Sequence, residues 1–182
     1  MHTDRNTAKQ HSPRNVKEPE LECSSDSVGA RQDVFLQQAK TIRKNGFIVL
    51  NGRPCKVVET RASKGYITFV GENIFSGERH TETIPYSHDC EVPVVSYEEY
   101  VLMDITDDGD DDDGFVTLLS DNSVLRDDMQ LPTGTPEYDS IAMDLRRYHS
   151  SSEPGDIVVV VLRAMGDEVI HSFRMCKDDK KC

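Results

Sequence analysis

The sequence predicts a mainly β protein, in which a small N-terminal barrel is followed by an OB-fold with one α-helix. From Phe47 onward, short apolar runs are separated by Gly, Pro and Asn. This spacing is typical of a small barrel rather than of a parallel sheet with helical crossovers. In the second half, three strand-like runs, one helical period and two further strand-like runs follow one another. That is the chain order of an OB-fold.

The first part of the chain, residues 1–36, is predicted to be a disordered tail. Up to about residue 32 it is polar and charged, with Pro13 and Pro19 and few large apolar side chains. Such a segment cannot bury enough apolar surface to offset the entropy lost on ordering. Val34 to Ala39 is expected to form a helical turn, and the first domain is expected to begin near Thr41.

The first domain, residues 37–93, is predicted to contain a hairpin with an exposed lysine at its tip. Tyr66 to Val70 is expected to pair with Lys56 to Arg61 across the turn Ser63-Lys64-Gly65, with Gly65 free to take a positive φ. A second turn lies at Asn51-Gly52-Arg53-Pro54. The predicted strands of this domain are residues 47–50, 55–61, 66–71 and 80–84 and a stretch that ends at Val92-Pro93-Val94.

The second domain, residues 94–176, carries one clear helical period over Pro136 to His149, and Pro154-Gly155 is expected to end the helix. Its apolar face is explained by core packing. An Asp-rich segment, residues 107–113, lacks the ligand spacing of an EF-hand and is interpreted as a solvated, mobile loop. The predicted strands are Tyr100 to Ile105, Phe115 to Leu119, Ser123 to Arg126, residues 156–162 and Val169 to Met175, before a C-terminal tail at 177–182.

Positive charge is concentrated in one stretch of an acidic protein. The chain has a formal net charge of −12, which argues against bulk binding of nucleic acid and against DNA as a partner. The stretch from Lys40 to Lys64, however, contains seven cations and only one anion, Glu59. Two strands whose turns carry cations form a surface that can meet phosphate. The alternative is a solvated basic face, with Arg53 and Lys56 merely solvating a turn. The candidate contacts are Arg43, Lys44, Arg53, Lys56, Arg61 and Lys64.

Several function classes lack support. The five cysteines are widely spaced with no CxxC pair, which argues against a zinc site and for a reducing compartment. Cys55 and Cys90 have no recognisable His partner, and neither an HExxH motif nor a P-loop occurs. We therefore expect no enzyme activity, no cofactor and no metal. Without an apolar run long enough for a bilayer, or a hydrophobic signal core, a cytoplasmic protein without membrane contact is expected.

Three blocks of sequence closely resemble the eukaryotic translation initiation factor 5A family. They read IRKNGFIVLNGRPCKVVE, VGENIFSGERHTETIPYSHDCEVPVV and GFVTLLSDNSVLRDDMQLPTG, and the resemblance extends from about Gln37 to Met175. It implies an SH3-like N-terminal barrel followed by an OB-fold.

The resemblance also implies a function in translation. Members of the family bind the vacant exit site of the ribosome, where they promote elongation at proline runs and assist termination. Ribosomal RNA and peptidyl tRNA are the implied partners. In the family, a lysine at the hairpin tip is extended to hypusine with an aminobutyl group from spermidine, which implies deoxyhypusine synthase as a further partner. The long cation lies along the acceptor end of the peptidyl tRNA. Such positioning can lower a barrier without entering the chemistry.

The hairpin tip departs from this pattern. The family loop reads STSKTGKHGHAK, whereas this chain has Arg61-Ala62-Ser63-Lys64-Gly65-Tyr66. Ser63 and Lys64 match the unmodified serine and lysine that open the family loop, and Tyr66 matches the lysine that closes it. The segment with the modified lysine is missing, which shortens the reach by on the order of 10 Å. Lys64 is the one candidate for modification, and we expect it to stay unmodified.

Two functions remain open on this basis. The first is a translation factor or divergent paralogue that docks on the ribosome through its fold, with hypusine-dependent activity in doubt. The second is a non-hypusinated paralogue that acts as a ribosome- or protein-binding module without elongation activity, in which the acidic half meets a protein partner.

Overall fold

A computed structural model describes residues 33–106, 114–151 and 155–176 of the chain. The first part of these residues forms the N-terminal barrel. One sheet runs in the order β2-β3-β4-β5, and β1 pairs antiparallel with β6 beside it. A 3-10 turn, Ala39–Thr41, connects β1 to the rest. The strands are β1 Val34–Gln38, β2 Phe47–Leu50, β3 Arg53–Ser63, β4 Tyr66–Asn73, β5 Arg79–Pro85 and β6 Asp89–Pro93.

The barrel closes around a compact apolar core. Its side chains come from alternate positions of the strands, as the period of two requires. Gly71 allows close packing here, because a Cβ at this position would lie 2.8 Å from the Cys55 Cβ and 2.9 Å from Leu50 Cδ1. The buried members are Ala39, Ile42, Ile48, Leu50, Cys55, Val57, Ile67, Phe69, Ile84, Cys90 and Val92.

The second half is the predicted OB-fold. Its five strands form one sheet in the order β11-β10-β7-β8-β9. Its helix begins where the sequence predicts it, since Pro136 occupies the first turn and Thr135 Oγ1 accepts a hydrogen bond from the Tyr138 amide at 3.2 Å,. The elements are β7 Ser96–Thr106, β8 Phe115–Leu119, β9 Leu125–Gln130, α1 Pro136–His149, β10 Asp156–Ala164 and β11 Asp167–Cys176.

The chain order of three strands, one helix and two strands is therefore confirmed in the described residues. On α1, Leu145 and Ala142 are buried, and Ile141 and Tyr148 pack against the same core. Core packing accounts for the apolar face of the helix, as expected. The mainly β fold class, with an SH3-like barrel followed by an OB-fold, is confirmed.

Two local predictions are wrong. Val34 to Ala39 is not a helical turn, because Val34–Gln38 pairs with β6 as a strand. Residues 34–36 therefore lie in this strand rather than in a tail. The predicted strand Ser123 to Arg126 begins later, at Leu125, since Ser123 takes a φ of 59° in the preceding turn. Helix α1 covers Pro136–His149, and its predicted span is therefore confirmed.

Some predictions concern residues that the structure does not describe. These are the tail up to residue 32, the acidic loop 107–113 and the C-terminal tail 177–182. Within the described ranges, no helix has the length and apolar character needed to cross a membrane.

Two described cysteines, Cys55 and Cys90, belong to the apolar core of the barrel. Cys55 and Cys90 are buried free thiols, and burial raises the pKa of both. Both thiols are therefore protonated and poorly nucleophilic near neutral pH.

Candidate functional site

The hairpin of β3 and β4 has the predicted lysine at its tip. Ser63 pairs with Tyr66, which leaves Lys64 and Gly65 as a two-residue turn. Both have a positive φ, 47° for Lys64 and 86° for Gly65. This is the backbone of a type I′ turn, which matches the twist of the flanking strands. The expected pairing and the positive φ of Gly65 are confirmed, and Lys64 shares the left-handed conformation.

The tip ends level with the neighbouring strand instead of projecting from the barrel. Tyr66 pairs with Pro85 at the end of β5, and the Gly65 carbonyl accepts a hydrogen bond from the Tyr86 amide at 2.9 Å. The turn is therefore held to the barrel by its backbone. Beyond it, only the side chains of exposed residues such as Lys64 and Tyr66 extend into solvent.

Arg61 and Lys44 lie near one carboxylate on the flank of the hairpin. Arg61 Nε donates to Glu59 Oε1 at 2.6 Å, and Arg61 Nη2 donates to Glu59 Oε2 at 3.1 Å. The Arg61 hydrogen bond is the main reason that the pKa of Glu59 is lowered, and the charge of Lys44 contributes a smaller part. Because this pair is exposed, Arg61 remains available to exchange Glu59 for another anion.

Arg43 lies on the other side of the same hairpin. Its Nη1 donates to the Lys40 carbonyl at 2.6 Å, which folds the side chain back over the 3-10 turn. Lys40 in turn donates its amide to the Tyr86 carbonyl at 3.4 Å. A cavity of about 300 Å³ opens between these residues and β3, and Thr60 and Ala62 form part of its lining.

The remaining two candidates, Arg53 and Lys56, lie at the far end of β3. Arg53 is the first residue of the strand and Ser63 the last, a separation of roughly 30 Å at the usual rise per residue. Arg53 lines a cavity with Glu78 and Asp167. Arg61 and Lys64 therefore lie toward the tip of the hairpin, Lys44 acts on Glu59 and Arg43 lines a cavity with Ala62, whereas Arg53 and Lys56 lie toward the start of β3. We call Arg43, Lys44, Arg61 and Lys64 the tip cations, and Arg53 and Lys56 the junction cations.

The junction cations face the contact between the barrel and the OB-fold. Tyr138 Oη, on α1, donates to the Ile74 carbonyl of the barrel at 3.2 Å. Beside this bond lies a cavity of about 480 Å³, whose lining includes Lys56, Tyr97 and His171. The Nδ1 atom of His171 is buried without a hydrogen-bond partner. This junction was not predicted, because its residues are far apart along the chain.

The sheet face of the OB-fold carries arginines that are already paired. Arg126 donates to Asp128 and to Glu168, and Arg163 Nη2 donates to Glu168 Oε2 at 2.9 Å. Tyr100 lies under Arg126, with the guanidinium carbon 5.7 Å from the ring centroid. OB-folds commonly bind nucleic acid with the second and third strands, the third being β9 here. In this protein the arginine of β9 is engaged by carboxylates and its side chain is only 17% exposed, whereas the tip cations are exposed, which makes the tip cations the better phosphate contacts.

Among the described residues there is no cluster of three or more His, Cys, Asp or Glu side chains that could hold a metal ion. The site therefore consists of charges and aromatic rings on a rigid β scaffold. Such an arrangement can bind and position an anionic polymer by contacts with its phosphates.

Comparison with known proteins gives two family matches that together span most of the described residues. Residues 33–88 match the family described as "Translation initiation factor 5A-like, N-terminal". Residues 94–174 match the family described as "Eukaryotic elongation factor 5A hypusine, DNA-binding OB fold".

Similar curated proteins include two plant factors. Eukaryotic translation initiation factor 5A-4 of Solanum tuberosum is 40% identical over 164 residues, which cover 87% of this chain and 95% of the relative. Eukaryotic translation initiation factor 5A-2 of Medicago sativa gives the same identity and coverage.

Solved structures show the same likeness. A translation initiation factor of this family from Naegleria fowleri superposes with a TM-score of 0.71 at 28% identity, covering 78% of this chain and 99% of the other. For the factor from Methanococcus jannaschii the TM-score is 0.55 at 20% identity, with coverage of 78% and 97%, which supports the fold alone.

Proposed function

Because this chain belongs to the eukaryotic translation initiation factor 5A family, it is a translation factor of that type, and we propose that it binds the exit site of the ribosome without hypusine. The family is one of translation factors rather than enzymes. Ribosomal RNA and peptidyl tRNA are the proposed partners, and the cytoplasm is the proposed location.

The observation that carries the proposal is the grouping of the tip cations at one end of the barrel. Lys64, Arg43, Lys44 and Arg61 are all exposed there. Lysine and arginine side chains on a rigid edge bind phosphates without reading sequence, so they can orient a factor on ribosomal RNA. The acids accumulate in the other half of the chain, which would point away from the RNA.

The shape of the tip supports an unmodified Lys64. A two-residue turn held by the Tyr86 amide offers a modifying enzyme little extended backbone around its target. The proposed factor therefore docks through its surface and lacks the long cation. Deoxyhypusine synthase is then not a productive partner. An intact mass of protein from its native cell that carried an aminobutyl group on Lys64 would overturn this part.

The test compares two double charge reversals in co-sedimentation with ribosomes at several salt concentrations. Arg43→Glu with Lys44→Glu removes two tip cations, and it should weaken binding and reduce its salt dependence, because fewer counterions are released. Arg53→Glu with Lys56→Glu changes the net charge equally at the junction and serves as the matched control.

Equal weakening by both pairs would mean that net charge alone matters. Unchanged affinity in the Arg43→Glu, Lys44→Glu variant would contradict the proposed placement of the tip on RNA. Thermal unfolding of both variants confirms that they remain folded.

The second candidate function is a binding module without elongation activity. The hairpin tip ends level with β5. This favours the second candidate, since the part of the family loop that reaches the acceptor end of the tRNA is missing. The two functions differ in translation of a polyproline message by a system depleted of the ordinary factor. A normal rate with this protein in its place would exclude the second candidate.

A further inference from the structure

The groove beside the hairpin shares Arg43 with the tip cations and adds features that the proposed function does not use. It opens between the 3-10 turn, the inner side of β3 and the turn that follows β5. Its volume is about 300 Å³, and its lining consists of Lys40, Ile42, Arg43, Thr60, Ala62, Ile67 and Tyr86. None of these described lining residues is acidic, although the protein as a whole has a net charge of −12.

The cations of the groove are held in place and are not engaged by carboxylates. The Arg43 guanidinium is fixed by its bond of 2.6 Å to the Lys40 carbonyl, which leaves its other donors open,. Within the part of the chain that the structure describes, neither Lys40 nor Arg43 forms a salt bridge. Arg61, by contrast, is engaged by Glu59. Two unpaired cations on a fixed backbone are suited to one phosphate.

The groove also has an aromatic wall and an apolar floor. Tyr86 is partly buried and packs against the barrel core. Ile42 and Ile67, at 5% and 7% exposure, form the floor. A backbone hydrogen bond links the two segments beside Tyr86, since the Ala39 amide donates to the His88 carbonyl at 2.9 Å. A rigid ring beside cations is the arrangement by which proteins hold single-stranded nucleic acid, one base on the ring and its phosphate on the charges.

The short hairpin leaves this groove open. The turn at Lys64-Gly65 ends level with Tyr86, so a strand of nucleic acid can pass over the tip into the groove. Thr60, on the inner side of β3, adds a hydroxyl that can donate to a phosphate or ribose oxygen.

We propose that this groove binds one nucleotide of single-stranded RNA, with the base stacked on Tyr86 and the phosphate held by Lys40 and Arg43. The inference deepens the proposed function and rests on it, because it names the RNA feature that this end of the barrel would hold. The ligand is a single-stranded segment, since a base within a duplex cannot stack on Tyr86.

The experiment titrates the isolated, full-length protein with hexauridylate and follows backbone amide signals by NMR. The largest shifts should fall on Lys40, Arg43, Thr60 and Tyr86. Tyr86→Leu keeps an apolar side chain but removes the ring, and it should weaken binding about tenfold, because stacking of a base on an aromatic side chain is worth about 1–3 kcal/mol. Tyr86→Phe should bind as the unaltered protein does.

Charge variants keep the test decisive if Tyr86→Leu unfolds the barrel. Lys40→Glu should weaken binding several-fold and lower the salt slope, whereas Arg79→Glu, with the same change in net charge outside the groove, should have a much smaller effect. Equal effects of Lys40→Glu and Arg79→Glu, or shifts confined to other residues, would overturn the proposal. Binding of a phosphoserine peptide without binding of hexauridylate would overturn it as well.

Ribosome co-sedimentation of the same variants separates this inference from the proposed function. If the Lys40→Glu and Tyr86→Leu variants pellet with ribosomes normally and bind hexauridylate normally, the proposal that the groove binds RNA is wrong. The proposed docking on the ribosome is then unaffected. If the unaltered protein fails to pellet, the proposed function fails, whatever hexauridylate does.

Discussion

At the hairpin tip, Lys64 holds a backbone conformation that lysine rarely adopts. Its φ of 47° lies in the left-handed region, which costs most L-residues roughly 1–2 kcal/mol, whereas Gly and Asn adopt it readily. Gly65, at 86°, fills the second turn position at little cost,. A lysine at such a position is tolerated because the turn is held by the pairing of Ser63 with Tyr66 and by the Tyr86 amide.

Lys64→Asn should separate folding from function at this residue. Asn-Gly is a preferred pair in type I′ turns, so the free energy of unfolding should rise by on the order of 0.5–1 kcal/mol. The loss of the tip charge should at the same time weaken ribosome binding. Denaturant unfolding and co-sedimentation measure the two effects. A variant that is more stable but binds equally well would remove Lys64 from the contact surface.

At the scale of single elements, the strands of the OB-fold are cross-linked by charge. Glu168 at the start of β11 accepts hydrogen bonds from Arg126 of β9 and Arg163 of β10. The Glu168 and Arg126 side chains are 25% and 17% exposed. The hydrogen bond from Arg126 is the main reason that the pKa of Glu168 is lowered, and the bond from Arg163 adds to this effect, although burial acts in the opposite direction.

Glu168→Gln should lower the free energy of unfolding by about 2 kcal/mol at neutral pH, since a charge-assisted hydrogen bond is lost and two arginines lose a partner. The folded-state pKa of Glu168 is depressed, so its stabilisation is present above its unfolded pKa of about 4.3 and disappears as the pH falls through the folded value. The difference between variant and unaltered protein should therefore shrink below about pH 4.

Urea unfolding at several pH values measures this difference. Asp128→Asn is the control, because Asp128 binds the same Arg126 but its side chain is 66% exposed. This variant should lose less free energy of unfolding than Glu168→Gln. A difference for Glu168→Gln that stays constant down to strongly acid pH would contradict the role given to its charge.

Strands with a strong local signal could be predicted from the sequence. The boundaries of β2 and β8 follow directly from apolar runs flanked by turn residues, and α1 from its period and its Pro at the first turn. Strand β1 could not be predicted in this way. Its residues show no regular alternation of buried and exposed positions, and its partner β6 lies far along the chain.

The candidate site was predictable in its composition and not in its arrangement. The sequence places Arg53 and Lys64 in one basic stretch, yet an extended strand carries them to opposite ends of β3. Tyr86 and Lys40 were missed, because they approach only through the hydrogen bond between the 3-10 turn and the turn after β5. Such proximity depends on non-local pairing, which residue spacing does not encode.

At the scale of the whole molecule, the barrel and the OB-fold are linked by the bond from Tyr138 to the Ile74 carbonyl. Tyr138 is 6% exposed, and burial is the main cause of its raised pKa. The phenol therefore stays protonated at physiological pH and can donate to this carbonyl. This partly buried hydrogen bond is a direct contact between the two halves of the molecule.

Tyr138→Phe should lower the free energy of unfolding by about 1 kcal/mol, because the Ile74 carbonyl loses its donor while the ring remains. Tyr97→Phe is the control, since the Tyr97 side chain is 54% exposed and its hydroxyl can be replaced by water. Thermal or urea unfolding of both variants gives the comparison. Equal stability of Tyr138→Phe and the unaltered protein would mean that the bond contributes nothing.

The charge distribution gives the molecule a polarity that its proposed docking uses. The tip cations lie at one end of the barrel, whereas the second half of the chain carries most of the acids. An uneven field of this kind orients a protein that approaches RNA, and its effect decreases with ionic strength. In the proposed docking, RNA would repel the acidic second half of the chain and attract the tip cations.

The most direct test of the central claim is co-sedimentation of the full-length protein with ribosomes at physiological salt, with and without excess of an ordinary hypusinated factor of the family. We predict that the protein pellets with ribosomes and that the competitor displaces it, because both occupy the exit site. Failure to pellet, or pelleting that the competitor leaves unchanged, would contradict docking at this site by the fold and an unmodified tip.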